Sequence, residues 1–302
     1  MSATDFVSTP EYDAFGPWIL EVTDAAQVPR AFATYPIDFD SAHTVVKVPR
    51  NIARRDATPQ MDLYDHLLIV GSDHLTVLGR EDGRYSVLAL GYGEIAALRD
   101  SVNLLDGRLT IYALDGSVVV LPYNGASRGM VGGILTTIRA EVRRSRPARA
   151  GSLSSRPSLP PMNLDDLGRK DAVFVTTTRE LTREEPGLRL IAATGRSIVR
   201  PRGGAGVQFT HVLDPATLHA LVVLAGDDEV QILTRRDAIT RKGAPVVSMA
   251  RLVLPLATVS SVEAFEHPDY LGVVVLRITA GSAVIDVAVP QNSLTETVLR
   301  AL

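Results

Sequence analysis

Two groups of cations are the side chains in this sequence best suited to hold a ligand. Lys47, Arg50, Arg54 and Arg55 form one; Arg235, Arg236, Arg241 and Lys242 form the other. Guanidinium and ammonium groups at this spacing suit a phosphate-bearing ligand or an acidic partner. The same runs also read as solvated loop faces, and that is the preferred reading. A third stretch, Arg200-Pro201-Arg202-Gly203-Gly204-Ala205-Gly206, offers backbone N–H groups to an anion. It lacks the Gly-Lys-Ser/Thr ending of a nucleotide loop, and no strand-to-helix step frames it, so it reads as a flexible loop.

Other chemistries find less support. The six histidines are His43, His66, His74, His211, His219 and His267, and no two stand at i, i+4. No acidic residue completes a metal-ligand pattern around them. Cysteine is absent, which removes thiol nucleophiles and disulfides. No Gly-x-Ser-x-Gly elbow is present. Asp65-His66 and Asp73-His74 are sequence neighbours, and in a strand neighbours face opposite ways. The expectation is therefore no enzyme: no catalytic residue, no cofactor and no metal.

Composition narrows the partners. The 302 residues carry a net charge of −3 and are 46% hydrophobic and 22% charged. That balance suits a globular chain and lacks the basic excess of a nucleic-acid binder. Residues 1–12 lack the basic start and apolar block of a signal peptide. The window Ala244 to Val262 contains Arg251 and Pro255 and reads as strands rather than a membrane span. A cytoplasmic setting is expected, with membrane contact at most peripheral.

The elements that must position these residues are mostly strands. Val45–Val48, Leu67–Val70, Leu75–Leu78, Tyr85–Leu90 and Ile95–Val102 form a run of short apolar stretches with turn residues between them. Asp115-Gly116 then marks a hairpin. A two-residue loop there sets Ala113 opposite Val118 and Ile111 opposite Val120. From Ala126 to Val142 the pattern turns helical: Met130, Ile134 and Ile138 form one row, flanked by Val131, Leu135 and Val142. The rings of Phe15, Trp18, Phe32 and Tyr35 are expected to pack over the first unit. Pro147, Pro157, Pro160 and Pro161, with several Ser and Arg, make 145–162 a linker with little to give a core.

Beyond it, Val173–Thr177 reads as a strand followed by a charged link at Arg179–Glu185. The strands Leu188–Ala192, Leu218–Leu224, Val230–Leu233, Val246–Leu256, Val259–Phe265, Leu271–Ile278 and Ala283–Val289 follow. A short helix ends the chain, with Ser293 and Glu296 in a capping-box pattern. In the last hairpin Arg277 and Asp286 are expected as diagonal neighbours.

The halves share an order of parts. Leu67–Val70 answers to Leu221–Leu224, the hairpin Leu109–Leu121 to Val273–Val289, and Pro122 to Pro290 ahead of each helix. Over Leu67–Arg139 and Leu218–Leu302 this pattern resembles the bacterial branch of the pleckstrin-homology-like (PH-like) fold. The resemblance implies a mainly β (α+β) chain of two partly open antiparallel β-barrels or rolls, each closed by a C-terminal helix. The units would be 11–144 and 163–302, joined by the linker 145–162. Lipid-binding members of that superfamily hold headgroups with Lys and Arg on the first hairpin loop. Here those loops, Gly71–His74 and Gly226–Glu229, carry Asp73, Asp227, Asp228 and Glu229 instead, so the lipid site is not carried over. The functional expectation is an interaction or scaffold protein that binds a protein partner or itself. The alternative is an anionic-ligand or membrane-surface module using the basic loops.

Overall fold

The computed structural model describes residues 8–146, 153, 156–203, 214–241 and 247–302. The chain opens with helix α1 (Pro10–Ala14) and strands β1 (Leu20–Glu21), β2 (Thr44–Pro49), β3 (Tyr64–Val70), β4 (His74–Glu81) and β5 (Arg84–Gly91). A three-residue 3-10 corner, Tyr92–Glu94, leads to β6 (Ile95–Asn103), β7 (Asp106–Ala113), β8 (Val118–Asn124) and helix α2 (Arg128–Arg144). Helix α3 (Ala172–Glu184) precedes β9 (Arg189–Thr194), β10 (Ser197–Pro201), β11 (Ala216–Leu218), β12 (Leu221–Ala225), β13 (Glu229–Thr234), β14 (Ile239–Thr240) and β15 (Ser248–Pro255). A second 3-10 corner, Leu256–Thr258, leads to β16 (Val259–Glu266), β17 (Tyr270–Leu271), β18 (Val273–Ala280), β19 (Ala283–Pro290) and helix α4 (Leu294–Leu299).

The protein is thus mainly antiparallel β. Its sheets run β1-β2-β3-β4-β5, β8-β7-β6-β15-β13-β12-β9, β16-β18-β19 and β14-β11-β10-β17, and none closes on itself among the described residues. The chain forms two compact units that interleave in sequence. One takes Met1–Gly93, Leu105–Leu109 and Val120–Ser145; the other takes Glu94–Leu104, Thr110–Val119 and Arg146–Leu302.

In the first unit, β3 is buried on both faces because Leu67 to Val70 are all apolar. Leu67 and Ile69 join Phe15, Val22, Phe32, Leu63 and Tyr64 in a cluster under the N-terminal segment. Leu68 and Val70 alternate to the other face, and helix α2 packs on β3. Val131, Ile134, Leu135, Ile138 and Val142 are the apolar side chains that α2 buries. Met130, expected in that row, is 39% exposed.

In the second unit the strands also alternate cleanly. Leu221, Val223 and Ala225 of β12 face a core shared with Leu276, Ile278, Ile285, Val287, Val298 and Leu299. Val222 and Leu224 face the opposite core, with Phe174, Val175 and Leu181 of α3. Each such fully buried aliphatic side chain contributes on the order of 1.5–3 kcal/mol. α4 is capped as its sequence suggests: Ser293 Oγ accepts from Glu296 N at 3.1 Å, and Glu296 accepts from Asn292 N.

Several expectations are corrected. Val173–Thr177 is part of helix α3, not a strand. The five-residue window is all β-branched or aromatic, which favours a strand, but Phe174, Val175, Thr178 and Leu181 are buried at helical spacing. The first hairpin has a three-residue loop: Gly116 N donates to Ala113 O at 3.0 Å and Ala113 N to Ser117 O at 2.9 Å. Gly116, at φ +92°, supplies the left-handed residue of this turn-plus-bulge. The one-residue slip reverses β8: Val118 and Val120 are 50% and 45% exposed, while Leu121 and Tyr123 are buried. Arg277 and Asp286 are direct cross-strand partners rather than diagonal ones, with two 2.9 Å bonds. Trp18 is 53% exposed, whereas Phe15 and Phe32 are buried. Within 145–162, Leu153 and Met162 are buried in the cores of the second unit, and Leu159 N bonds to Leu190 O at 2.8 Å.

Candidate interaction surface

The cations singled out by sequence are mostly absorbed by the fold. Lys47 sits on β2, where alternation turns it inward; it is 6% exposed, donates to Gln27 O at 2.9 Å and lies 5.0 Å from the Tyr64 ring centroid. Burial lowers its pKa and pushes the Tyr64 phenol up to about 12. Arg54 stacks on Tyr12 at 3.9 Å and donates to the carbonyls of Tyr12 and Phe15, tying the N-terminal segment down. Arg50 bonds to Asp62 O at 3.1 Å and lines a cleft of about 340 Å³ with Pro17, Pro49, Asn51 and Tyr123. Arg55 extends into solvent beside Asp56.

In the second group, Arg235 is buried. It bonds to Asp171 Oδ1 at 2.8 Å, Ser248 O at 2.7 Å and Lys170 O at 2.6 Å, with its guanidinium 4.8 Å from the Phe174 ring. Arg196 grips the same carboxylate through bonds of 2.7 and 2.8 Å. Burial alone would raise the Asp171 pKa, but the two guanidinium groups outweigh it and hold the carboxyl below the usual range. His219 lies in this neighbourhood, 4% exposed, with Nε2 2.7 Å from Thr240 Oγ1. Burial, then Arg196, lowers its pKa. Arg236 donates to Ser101 O at 3.1 Å and its own carbonyl accepts from Arg99 at 2.7 Å, which fastens β6 to the loop after β13. Arg241 is exposed, and Lys242 lies outside the described residues, as do Gly204 to Gly206 and His211. Among the described residues no three His, Cys, Asp or Glu side chains gather as a metal-holding group.

The two acidic hairpin loops, Gly71–His74 and Gly226–Glu229, close alike. Gly71 N donates to His74 O at 3.1 Å, and Gly226 N donates to Glu229 O at 2.9 Å.

A different surface stands out, one that motif reading passes over. β5 pairs with β4 along one edge, from His74↔Gly91 to Glu81↔Arg84, and its other edge has no strand among the described residues. Its sequence, Arg-Tyr-Ser-Val-Leu-Ala-Leu-Gly, is apolar and β-favouring, yet Ser86, Val87 and Ala89 are exposed, Val87 by half. β16 is a second open edge, paired among the described residues only with β18. It exposes Ser260, Ser261, Glu263, Phe265 and Glu266, with Phe265 at 45%. Beside β16 lies a cleft of about 420 Å³ lined by Phe265, His267, Val275, Arg277 and Asp286. The signal for both edges was present in the sequence as strands of mixed pattern, but pairing partners are not readable from one strand's text.

No helix of the described residues is long and apolar enough to cross a membrane. No protein-family model, curated protein or solved structure matches the chain.

Proposed function

We propose that this chain is a non-enzymatic scaffold of two PH-like units that works through protein contacts at its open strand edges. The order of elements supports the PH-like reading. From β3 to α2 a hairpin leads through one further strand to a 3-10 corner, then to three strands and a helix; from β12 to α4 the order is the same apart from two added two-residue strands, β14 before the corner and β17 after it.

The observation that carries the functional reading is the open edge of β5. Edge strands normally carry devices against pairing: lysine, proline, a bulge or very short length. β5 is eight residues long, without lysine or proline, and pairs with β4 without a register shift. An edge of that kind accepts an added strand, whose backbone supplies affinity while alternate side chains supply choice. The cation groups contribute less, because Lys47, Arg54 and Arg235 are already engaged inside the protein.

The reading is tested with a photo-cross-linking amino acid at position 87, and at position 55 as an exposed control, in the full chain within its own cells. Position 87 should give a discrete cross-link to a polypeptide that position 55 does not. Equal or absent cross-linking at the two positions would remove the basis for an edge-binding scaffold.

A further inference from the structure

The fold contains a worked example of what its two open edges accept. β15 lies between β13 and β6, antiparallel to β6 with the register Ser248↔Asn103 through Arg251↔Asp100 to Val253↔Leu98. In the element order, β15 stands to its half as β5 stands to the first: each runs into a three-residue 3-10 corner. β6 and β16 are likewise the strands that leave those corners. Gly91 answers to Pro255, and Ile95 to Val259.

The four strands therefore form two classes, each with one paired and one open member. Where paired, they are buried: seven of the eight residues of β15 are buried and one is intermediate. Where open, the same positions face solvent, as Ser86, Val87 and Ala89 do in β5 and Ser260, Ser261, Glu263, Phe265 and Glu266 do in β16. The chain joins one corner-leaving strand to one corner-entering strand internally and, among the described residues, leaves one of each with an open edge.

We propose that β16 of one copy pairs antiparallel with β5 of a second copy, repeating the β6–β15 junction between molecules. This rests on the edge-binding scaffold reading and names its partner: another copy of this chain. The internal register carries over residue by residue. Arg251↔Asp100 becomes Val87↔Ala264, Met249↔Val102 becomes Tyr85↔Glu266, and Val253↔Leu98 becomes Ala89↔Val262. Arg84 then falls opposite His267 and Tyr85 opposite Glu266, and no like charges oppose each other. Because the two edges differ, the contact is head-to-tail; each added copy leaves one β5 and one β16 edge to continue, so the assembly closes as a ring or grows as a filament.

The cysteine-free sequence makes the register directly testable. Chains with Val87→Cys are mixed with chains with Ala264→Cys under mild oxidation. Directly opposed residues of an antiparallel pair lie within disulfide reach. The mixed product should form several-fold more than from Val87→Cys mixed with Phe265→Cys, because position 265 points to the other face. Light scattering on the unmodified full chain at high concentration should give at least a dimer's mass. Val87→Lys with Ala89→Lys, both at exposed positions, should return it to the monomer's mass while circular dichroism stays unchanged.

A monomer at every concentration, an oligomer indifferent to the two lysines, or equal cross-linking at 264 and 265 would each overturn the proposal. The two readings fail separately. If photo-cross-links from position 87 join a different polypeptide, the scaffold reading stands and self-assembly falls. If position 87 gives none, both fall.

Discussion

The backbone oxygen of Leu114 accepts a 2.6 Å hydrogen bond from the backbone N–H of Ser282, so the tips of two hairpins lock together within the second unit. Leu114 N also donates to Glu94 O at 2.8 Å. The contact is close enough to restrict the glycines beside it. A Cβ on Gly281 would stand 2.4 Å from Leu114 O, and one on Gly116 3.2 Å from Ser282. Both glycines also have positive φ, +60° and +92°.

Gly281→Ala is therefore expected to destabilise the protein by well over the ~1–2 kcal/mol that a left-handed alanine costs by itself. Gly83→Ala is the control. Its φ is +71°, but nothing lies within 4 Å of the added methyl, so only the backbone penalty applies. Urea unfolding of the two variants should separate them; equal losses would mean that the tips do not hold each other.

Leu104 is a leucine at φ +55° and 66% exposed. Its side chain gains little from burial, and its backbone carries left-handed strain of about 1–2 kcal/mol. Leu104→Gly removes the strain while adding freedom to the unfolded chain. The thermal midpoint should hold steady or rise. A clear fall would assign the leucine side chain a packing role.

Asp171 is fully buried and is shared by Arg196 and Arg235. Asp171→Asn strands a buried cation, and breaking such a pair costs about 3–5 kcal/mol. Adding Arg235→Met removes that cation and should recover part of the loss. The check is a double-mutant cycle by urea unfolding, where simple additivity of the two changes would contradict the shared role.

The pH dependence has a definite sign. Burial lowers the pKa of His66 and His219 in the folded state, so over that interval the unfolded chain binds more protons and stability rises with pH. Their contribution is present above about pH 6.5, the ordinary histidine value, and is lost as pH falls through the depressed folded values. Around His219 the charged groups are Arg196, Asp171, Arg235 and Asp237. Asp171, also depressed, adds stability that is lost only at much lower pH, within the acid range. The urea midpoint should drop between neutral and mildly acidic pH, and His219→Asn should flatten that drop.

Much of the strand content was legible because short apolar runs were separated by turn residues, as at Gly71–His74 and Gly226–Glu229. What failed were choices that a single residue decides. Asp115-Gly116 marks a turn, but loop length determines whether Val118 or Val119 faces in, and that length is set by hydrogen bonds to Ala113. Val173–Thr177 has the β-branched and aromatic composition of a strand until Thr178 and Leu181 extend the helical period. Arg235 reads as a loop cation because its partner, Asp171, lies far away in sequence. The β6–β15 pairing was invisible for the same reason: nothing local to Ile95–Asn103 names Ser248–Pro255 as its neighbour.

That pairing has a consequence during synthesis. Residues 95–103 leave the ribosome long before 248–255 exist, and at ordinary translation rates the gap is on the order of ten seconds. Through that interval β6 has no β15 to cover it, so the nascent first half must carry a bare apolar edge or be shielded by a chaperone. Premature termination anywhere between the two strands would release a fragment prone to aggregate.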